Sequence, residues 1–168
     1  MSNAHGVTDL ETLLASMEPI LDEAEYVYCT LPETSSAWSL IGQLRPEVVV
    51  RETEGLTLVL RQITADEYNQ RSTSMTCNSA NGSQREMTPS LAYTGTCAKI
   101  SLQVHSSLEA IGLTAAFGNR LSQVGVSANV VAGYFHDHIF VAPALSSGKA
   151  MEALHSLSTE AKARAAAR

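Results

Sequence analysis

Residues 99–143 read KISLQVHSSLEAIGLTAAFGNRLSQVGVSANVVAGYFHDHIFVAP, and this stretch decides the fold. Ile100, Leu102 and Val104 alternate with Lys99, Ser101, Gln103 and His105, the period of a strand with one buried and one polar face. A polar loop follows at 106–111. Across 112–124, Leu113, Ala116, Phe117, Leu121 and Val124 fall on one helical face, and Gly125 supplies the stop. Residues 127–132 and 138–141 are two further strands, with Gly133-Tyr134-Phe135-His136-Asp137 between or bulging into them. Ser146-Ser147-Gly148 starts a last helix with Met151, Leu154, Leu157 and Ala161 inward. The second half is therefore predicted as β-α-β-β-α.

Working outward, residues 9–17 predict a short helix, capped by Asp9 or Thr8, with Leu10, Leu13, Leu14 and Met17 on one face and Pro19 closing it. Residues 25–31 are rich in β-formers and end at Pro32. Residues 34–44 form a connector with a short helix around Trp38 and Ile41. Two strands, 47–52 and 56–60, are joined by Thr53-Glu54-Gly55, where glycine accepts positive φ. Thr64 and Glu67 have the spacing of a capping box opening another short helix. From residue 25 the first half thus reads β-(short α)-β-β-α, a weak internal duplication of the second. Each half lacks a closing strand, so each is expected to borrow one from the other.

Between them, 15 of the 27 residues in 71–97 are Ser, Thr, Asn, Gly or Pro, and no period is sustained, so this segment reads as a flexible tether or insertion. A regulatory or phospho-acceptor role is the alternative. The expected organisation is a disordered lead at 1–8, a domain at 9–70, the linker at 71–97, a second domain at 98–160 and an Ala-rich tail at 161–168 that frays at its far end.

Charge is uneven. Residues 1–60 carry ten acidic and two basic residues (−8), and 61–168 carry seven and nine (+2), together −6. No cluster of Lys/Arg exists to neutralise phosphates, which argues against nucleic acid. No apolar run approaches the roughly 20 residues of a membrane span. The N-terminal residues lack a basic stretch followed by an apolar core, so no secretory signal is read. Cys29, Cys77 and Cys97 are widely spaced and without a C-x-x-C, which suits free thiols in a reducing, cytoplasmic setting. Cys29 sits in an apolar strand as a small buried hydrophobe. Asn81-Gly82-Ser83 fits a glycosylation sequon that such a setting would leave unused.

Gly112-Leu113-Thr114 opening a helix, the LSQVGVS run at 121–127 and Asn129-Val130-Val131-Ala132 resemble an ACT domain, the small regulatory fold of aspartate kinases and other amino-acid-controlled enzymes. VHSSLEAIGLTAAF together with SANVVAGYFHDHIFV resembles stand-alone tandem ACT proteins more closely. EPILDEAEYVYCTLP and the hairpin around 54–60 look like their N-terminal half, while the long 71–97 segment departs from the pattern. The resemblance implies an α+β fold of two ACT-like, ferredoxin-like βαββα(β) units, with antiparallel sheets packed against helices. It implies binding of an amino acid or similar small metabolite where two ACT units meet, near the loop after the first strand. It implies a regulatory role, with a homodimer or a regulated enzyme as partner, and no cofactor or catalytic residues.

The residues themselves point to the same loop. An amino acid brings a carboxylate and an ammonium. The helix start at Gly112-Leu113-Thr114 offers backbone N–H groups and the positive end of the helix dipole, and Gly112 removes a Cβ that would keep a ligand away. Ser106 and Ser107 add hydroxyls, Glu109 or Asp137 can take the ammonium, and Asn129 can both donate and accept. His105, Leu108, Ile111 and Val130 complete the candidate ligand set. Competing readings stay open. Ser106 and Glu109 also fit a capping box, Asn129 a cross-strand hydrogen bond, and Gly112 a plain turn. His136 and His138, two apart, admit a metal, a polar hairpin end, or a place around the ligand. No nucleophile elbow, phosphate loop or paired carboxylates argue for an enzyme. The alternative functions are a protein-interaction module using the polar face of Ser101, Gln103 and His105, or a metal-binding protein built on His136 and His138.

Overall fold

A computed structural model describes residues 9–77 (74–77 by backbone alone), 90–104 and 110–167. The elements run α1 (Leu10–Ser16), β1 (Pro19–Leu31), α2 (Ser35–Leu44), β2 (Val48–Glu52), β3 (Gly55–Arg61), α3 (Gln62–Cys77), β4 (Cys97–Leu102), α4 (Leu113–Gln123), β5 (Ser127–Ala132), β6 (Asp137–Ala142), a 3-10 turn (Ala144–Ser146) and α5 (Ser147–Ala166). They form two compact units, one of Met1–Glu23 with Cys97–Arg168 (the split unit), the other of Ala24–Thr96 (the inner unit). The α+β, ferredoxin-like fold class expected from the sequence is the one observed.

In the split unit the strands lie in the order β1-β4-β6-β5, and only the first part of β1 belongs to it. β4 pairs with β6 antiparallel, Ile100 opposite Ile139, and β5 pairs with β6, Val130 opposite Ile139. The Gln103 N–H donates to the Glu18 carbonyl at 2.7 Å, beside the start of β1. So the fourth strand of this unit comes from the first half of the sequence, as the missing closing strand required. β1 begins at Pro19, six residues before the alternation that reveals it, because these residues are held by backbone pairing and include exposed Ile20 and Leu21. Ile100, Leu102, Ile139 and Val141 pack under Leu113, Phe117 and Leu121 of α4, Ala150, Leu154, Leu157 and Ala161 of α5, and Leu13, Leu14 and Met17 of α1.

α1 therefore lies with the C-terminal half, not with residues 24–70, where its position in the chain placed it. An apolar stripe states that a helix has a core to face, not which core. The Asp9 carboxylate caps α1 at the Thr12 N–H, 2.8 Å. Of the Ala-rich stretch, residues 161–166 are the last turns of α5, where Ala161 is fully buried and the Arg164 Nε reaches Glu11 of α1 at 3.1 Å. The Arg120 guanidinium clamps both oxygens of Glu160, at 2.9 and 2.5 Å, tying α4 to α5.

In the inner unit the order is β2-β3-β1, with Cys29 opposite Leu58 and Val49 opposite Leu58 on its other side. Val27, Cys29, Leu31, Leu56, Leu58 and Leu60 meet Ala37 and Leu44 of α2 and Ala65 of α3. Cys29 is a buried free thiol whose pKa burial pushes up to about 11. α3 is longer than the sequence suggests. It opens at Gln62, so Thr64 is inside the helix instead of capping it, and Glu67 pairs with Arg71 at 3.1 Å. Part of the predicted tether is thus helix. Another part is pinned: the Asn69 side chain donates to the Leu91 carbonyl at 3.0 Å and accepts from its N–H at 2.9 Å, and Leu91 is fully buried. A side-chain amide that pairs like a strand leaves no periodic signal. The Tyr93 hydroxyl donates to Asp66 at 2.5 Å. The rest of that segment, with Asn81-Gly82-Ser83, lies outside the described residues.

Candidate functional site

The end of the split unit where β4 finishes is also where the β5–β6 hairpin turns and α4 begins. The register fixes the two strand ends, because Leu102, the last residue of β4, and Ala132, the last of β5, both stand opposite Asp137, and α4 is set by its other end, which leads within three residues to the start of β5 at Ser127, opposite Ala142. Gly112 is the N-cap of α4 with φ +98, a conformation open to glycine and strained for other residues. It makes no side-chain cap, whereas α1 and α2 have one each. A Cβ at Gly112 would stand 3.2 Å from the Leu10 Cδ2, so α1 floors this corner. Nothing in the chain order announces Leu10 as a neighbour of Gly112.

The candidate residues separate on inspection. His105, Ser106, Ser107, Leu108 and Glu109 lie outside the described residues. Ile111 is 87% exposed and Thr114 is exposed, both flanking the helix start. Leu113 is a core residue, so only its backbone N–H is on offer to a ligand. Val130 packs against the core opposite Ile139. Asn129 is exposed on the other face, opposite Phe140 and well along β5 from the hairpin end. Gly112, Thr114, Ile111 and Asp137 are thus at one end of the unit, and Asn129 is not.

Asp137 is buried, at 7% exposure. Strand alternation puts it on the same face as Ile139 and Val141, which is the face the helices cover. Burial pushes its carboxyl pKa up from the ordinary value, and nearby His138 and His136 pull it back in part. A carboxyl whose folded pKa exceeds its unfolded one opposes folding above the folded pKa, and that opposition fades as pH falls through it. Asp137→Asn is therefore expected to raise the melting temperature of the ligand-free chain at neutral pH. Melting curves from neutral to acid pH check it: the gap between variant and wild type should close on acidification.

The two histidines have distinct settings. The His138 Nδ1 is 2.8 Å from the Ser101 Oγ across the β4–β6 pair, a half-buried contact. A Cβ at Gly133 would come to 3.4 Å from the His138 Nε2 and 2.7 Å from the His136 carbonyl oxygen, so the tight turn needs a glycine there. Among the described residues no group of three or more His, Cys, Asp or Glu is placed to hold a metal ion. Ser101, offered by the sequence as part of a polar docking face, is instead engaged with His138. Tyr134 and Phe135 stand exposed at the hairpin tip, ring centroids 4.9 Å apart and edge to face.

Two models of the ACT domain match in tandem, over residues 5–76 and 93–156. The chain is 38% identical to a protein of unknown function from Vibrio cholerae, titled a possible transport protein, over 89% of this chain and 95% of that one, with a TM-score of 0.67. The chain belongs to the ACT-domain family. The regulatory subunit of aspartate kinase from Thermus flavus shares the fold at 12% identity, TM-score 0.57, covering 84% of this chain and 95% of that one. So does aspartokinase III of E. coli, solved with aspartate and ADP, at 12% identity and TM-score 0.55, over 84% of this chain and 32% of that one. A comparison with curated proteins found no match. The first matched ACT segment includes α1, so family boundaries follow the chain while packing carries α1 to the split unit. Among the described residues no helix is long and apolar enough to cross a membrane.

Proposed function

We propose that this tandem ACT protein is a regulatory sensor that binds an amino acid or a similar small metabolite at the β4–α4 corner of the split unit. The tandem ACT domains support a ligand-binding regulatory role. The observation that supports this corner is the start of α4 at Gly112, which has no side-chain cap among the described residues, on the same end as the buried Asp137. The ligand carboxylate takes the N–H groups of the first helical turn, where an anion gains about 0.3–1 kcal/mol from the dipole alone. The ammonium takes Asp137, whose burial is then repaid by an opposite charge. This also accounts for keeping a carboxyl where an amide would fold better. The family expectation that the ligand is enclosed where two ACT units meet becomes a question of stoichiometry and of oligomeric state, and the downstream partner of such a sensor is a regulated enzyme.

Thermal-shift screening against the twenty amino acids and related metabolites tests the reading, followed by calorimetry on the hits. A ligand at 100 times its Kd stabilises by about 2.7 kcal/mol. Asp137→Asn should raise the melting temperature of the free protein yet weaken binding by roughly ten-fold or more, the cost of losing a charged hydrogen bond. Flat melting curves and flat calorimetry would sink the proposal. A second reading, a protein-interaction module without ligand, draws on the exposed Tyr134–Phe135 tip. Light scattering after size exclusion separates it, since a strict monomer at high concentration disfavours it.

A further inference from the structure

The inner unit runs β1-α2-β2-β3-α3, the same order as β4-α4-β5-β6-α5, so its β1–α2 corner is the counterpart of the β4–α4 corner. Their chemistry differs. At β1–α2 the Thr34 Oγ1 accepts from the Ala37 N–H at 3.1 Å and caps the helix. Beside it, three groups converge, one from the β1–α2 connection and one each from β2 and α2. The Arg51 Nε of β2 lies 2.9 Å from the Glu33 Oε1, the Trp38 Nε1–H of α2 donates to that same oxygen at 3.3 Å, and the Arg51 Cζ stands 5.2 Å from the centroid of the Trp38 rings. A guanidinium stacked on an indole, with the indole N–H alongside, is a set of groups suited to recognising a carboxylate.

We propose that Arg51 and Trp38 form a carboxylate-binding site which the chain fills with its own Glu33, so that the β1–α2 corner is closed to dilute external acids. Glu33 is 37% exposed and Arg51 66%, and an ion pair this open contributes only about 0–1 kcal/mol, so it is a displaceable latch, not a structural staple. What keeps it shut is the tether. At about 0–1 kcal/mol the tethered carboxylate is closed on the site roughly one to five times as often as open, and an external carboxylate must exceed its own half-point by a similar factor to compete. The inference does not depend on the ligand reading of the β4–α4 corner, because its probe sits in the inner unit.

Trp38 is the chain's single tryptophan, so its emission reports on this site. The full-length Glu33→Ala chain is titrated with sodium acetate, against sodium chloride at matched ionic strength. The expected result is a saturable, acetate-specific change in Trp38 emission, half complete at roughly tens of millimolar, the range of a site worth 2–3 kcal/mol. Wild type should need roughly two- to six-fold more acetate, the shift that a latch of about 0–1 kcal/mol imposes, and Glu33→Ala with Arg51→Gln should lose the response. Glu33→Gln, which keeps the side chain's size without its charge, should also regain the acetate response. It carries the same test should Glu33→Ala lose its far-UV dichroism. Two results overturn the proposal: acetate responses of wild type and both Glu33 variants that coincide, or Glu33 variants that respond to acetate no more than to chloride.

Discussion

Gly55→Ala is expected to unfold the inner unit at a markedly lower urea concentration than wild type. Gly55 opens β3 at φ +146, opposite Glu52 across the β2–β3 hairpin. A Cβ there would come within 2.4 Å of the Leu31 carbonyl oxygen, with the Leu31 carbon at 3.3 Å and the Pro32 Cα at 3.5 Å. These are backbone atoms, so no side chain can swing aside. Relief means drawing the end of β1 away from β3, where Leu31 faces Leu56 and both are buried. Backbone strain of this kind costs about 1–3 kcal/mol, and loss of the paired end adds to it, so a total near 4 kcal/mol is expected. Trp38 emission in urea follows the inner unit directly. An unchanged midpoint would show that β1 and β3 part at this point at little cost.

The second large effect lies in the split unit. Phe117, fully buried, is where α4 meets the strands and the other two helices. Phe117→Ala leaves a cavity among Ile100, Leu102, Ile139 and their neighbours, and such truncations cost about 3–5 kcal/mol. A domain's whole stability is about 5–15 kcal/mol, so the variant should melt early or purify poorly. Guanidinium unfolding followed by far-UV dichroism measures it, and a loss under about 1 kcal/mol would mean that the core collapses onto the gap. Phe117→Leu, which keeps most of the volume, should recover the larger part.

The contrast between these sites and the ligand corner shows what a sequence carries. The strands and helices of 99–143 were legible because burial on one face imposes a period, and Ile100, Leu102, Phe117 and Leu121 obey it. Gly55 and Gly125 were legible because turns need positive φ. α1 was legible as a helix and not as a member of the split unit, since its stripe of Leu10, Leu13, Leu14 and Met17 fits any core. The Asn69–Leu91 pairing and the start of β1 at Pro19 left no pattern, because they rest on hydrogen bonds between distant residues. In the candidate site, Gly112 and Asp137 were named from local chemistry. The place of Asp137, opposite the last residues of β4 and β5, comes from the register of the strands, which no single residue encodes. Leu113 was read both as a core residue and as a backbone N–H donor, and its side chain is indeed buried, while Val130, named in the ligand set, is half-buried against the core.

The packing of α1 has a consequence for biosynthesis. Leu13, Leu14 and Met17 leave the ribosome before the elements they pack on, and α5, against which α1 lies, begins only at Ser147. At about 5–20 residues per second, this apolar helix waits on the order of ten seconds for its partner. Residues 24–96 are complete well before then, so the inner unit closes while the split unit is still being made. α1 thus emerges as a greasy segment that awaits the twenty residues of α5, and it is there that a chaperone would find a grip.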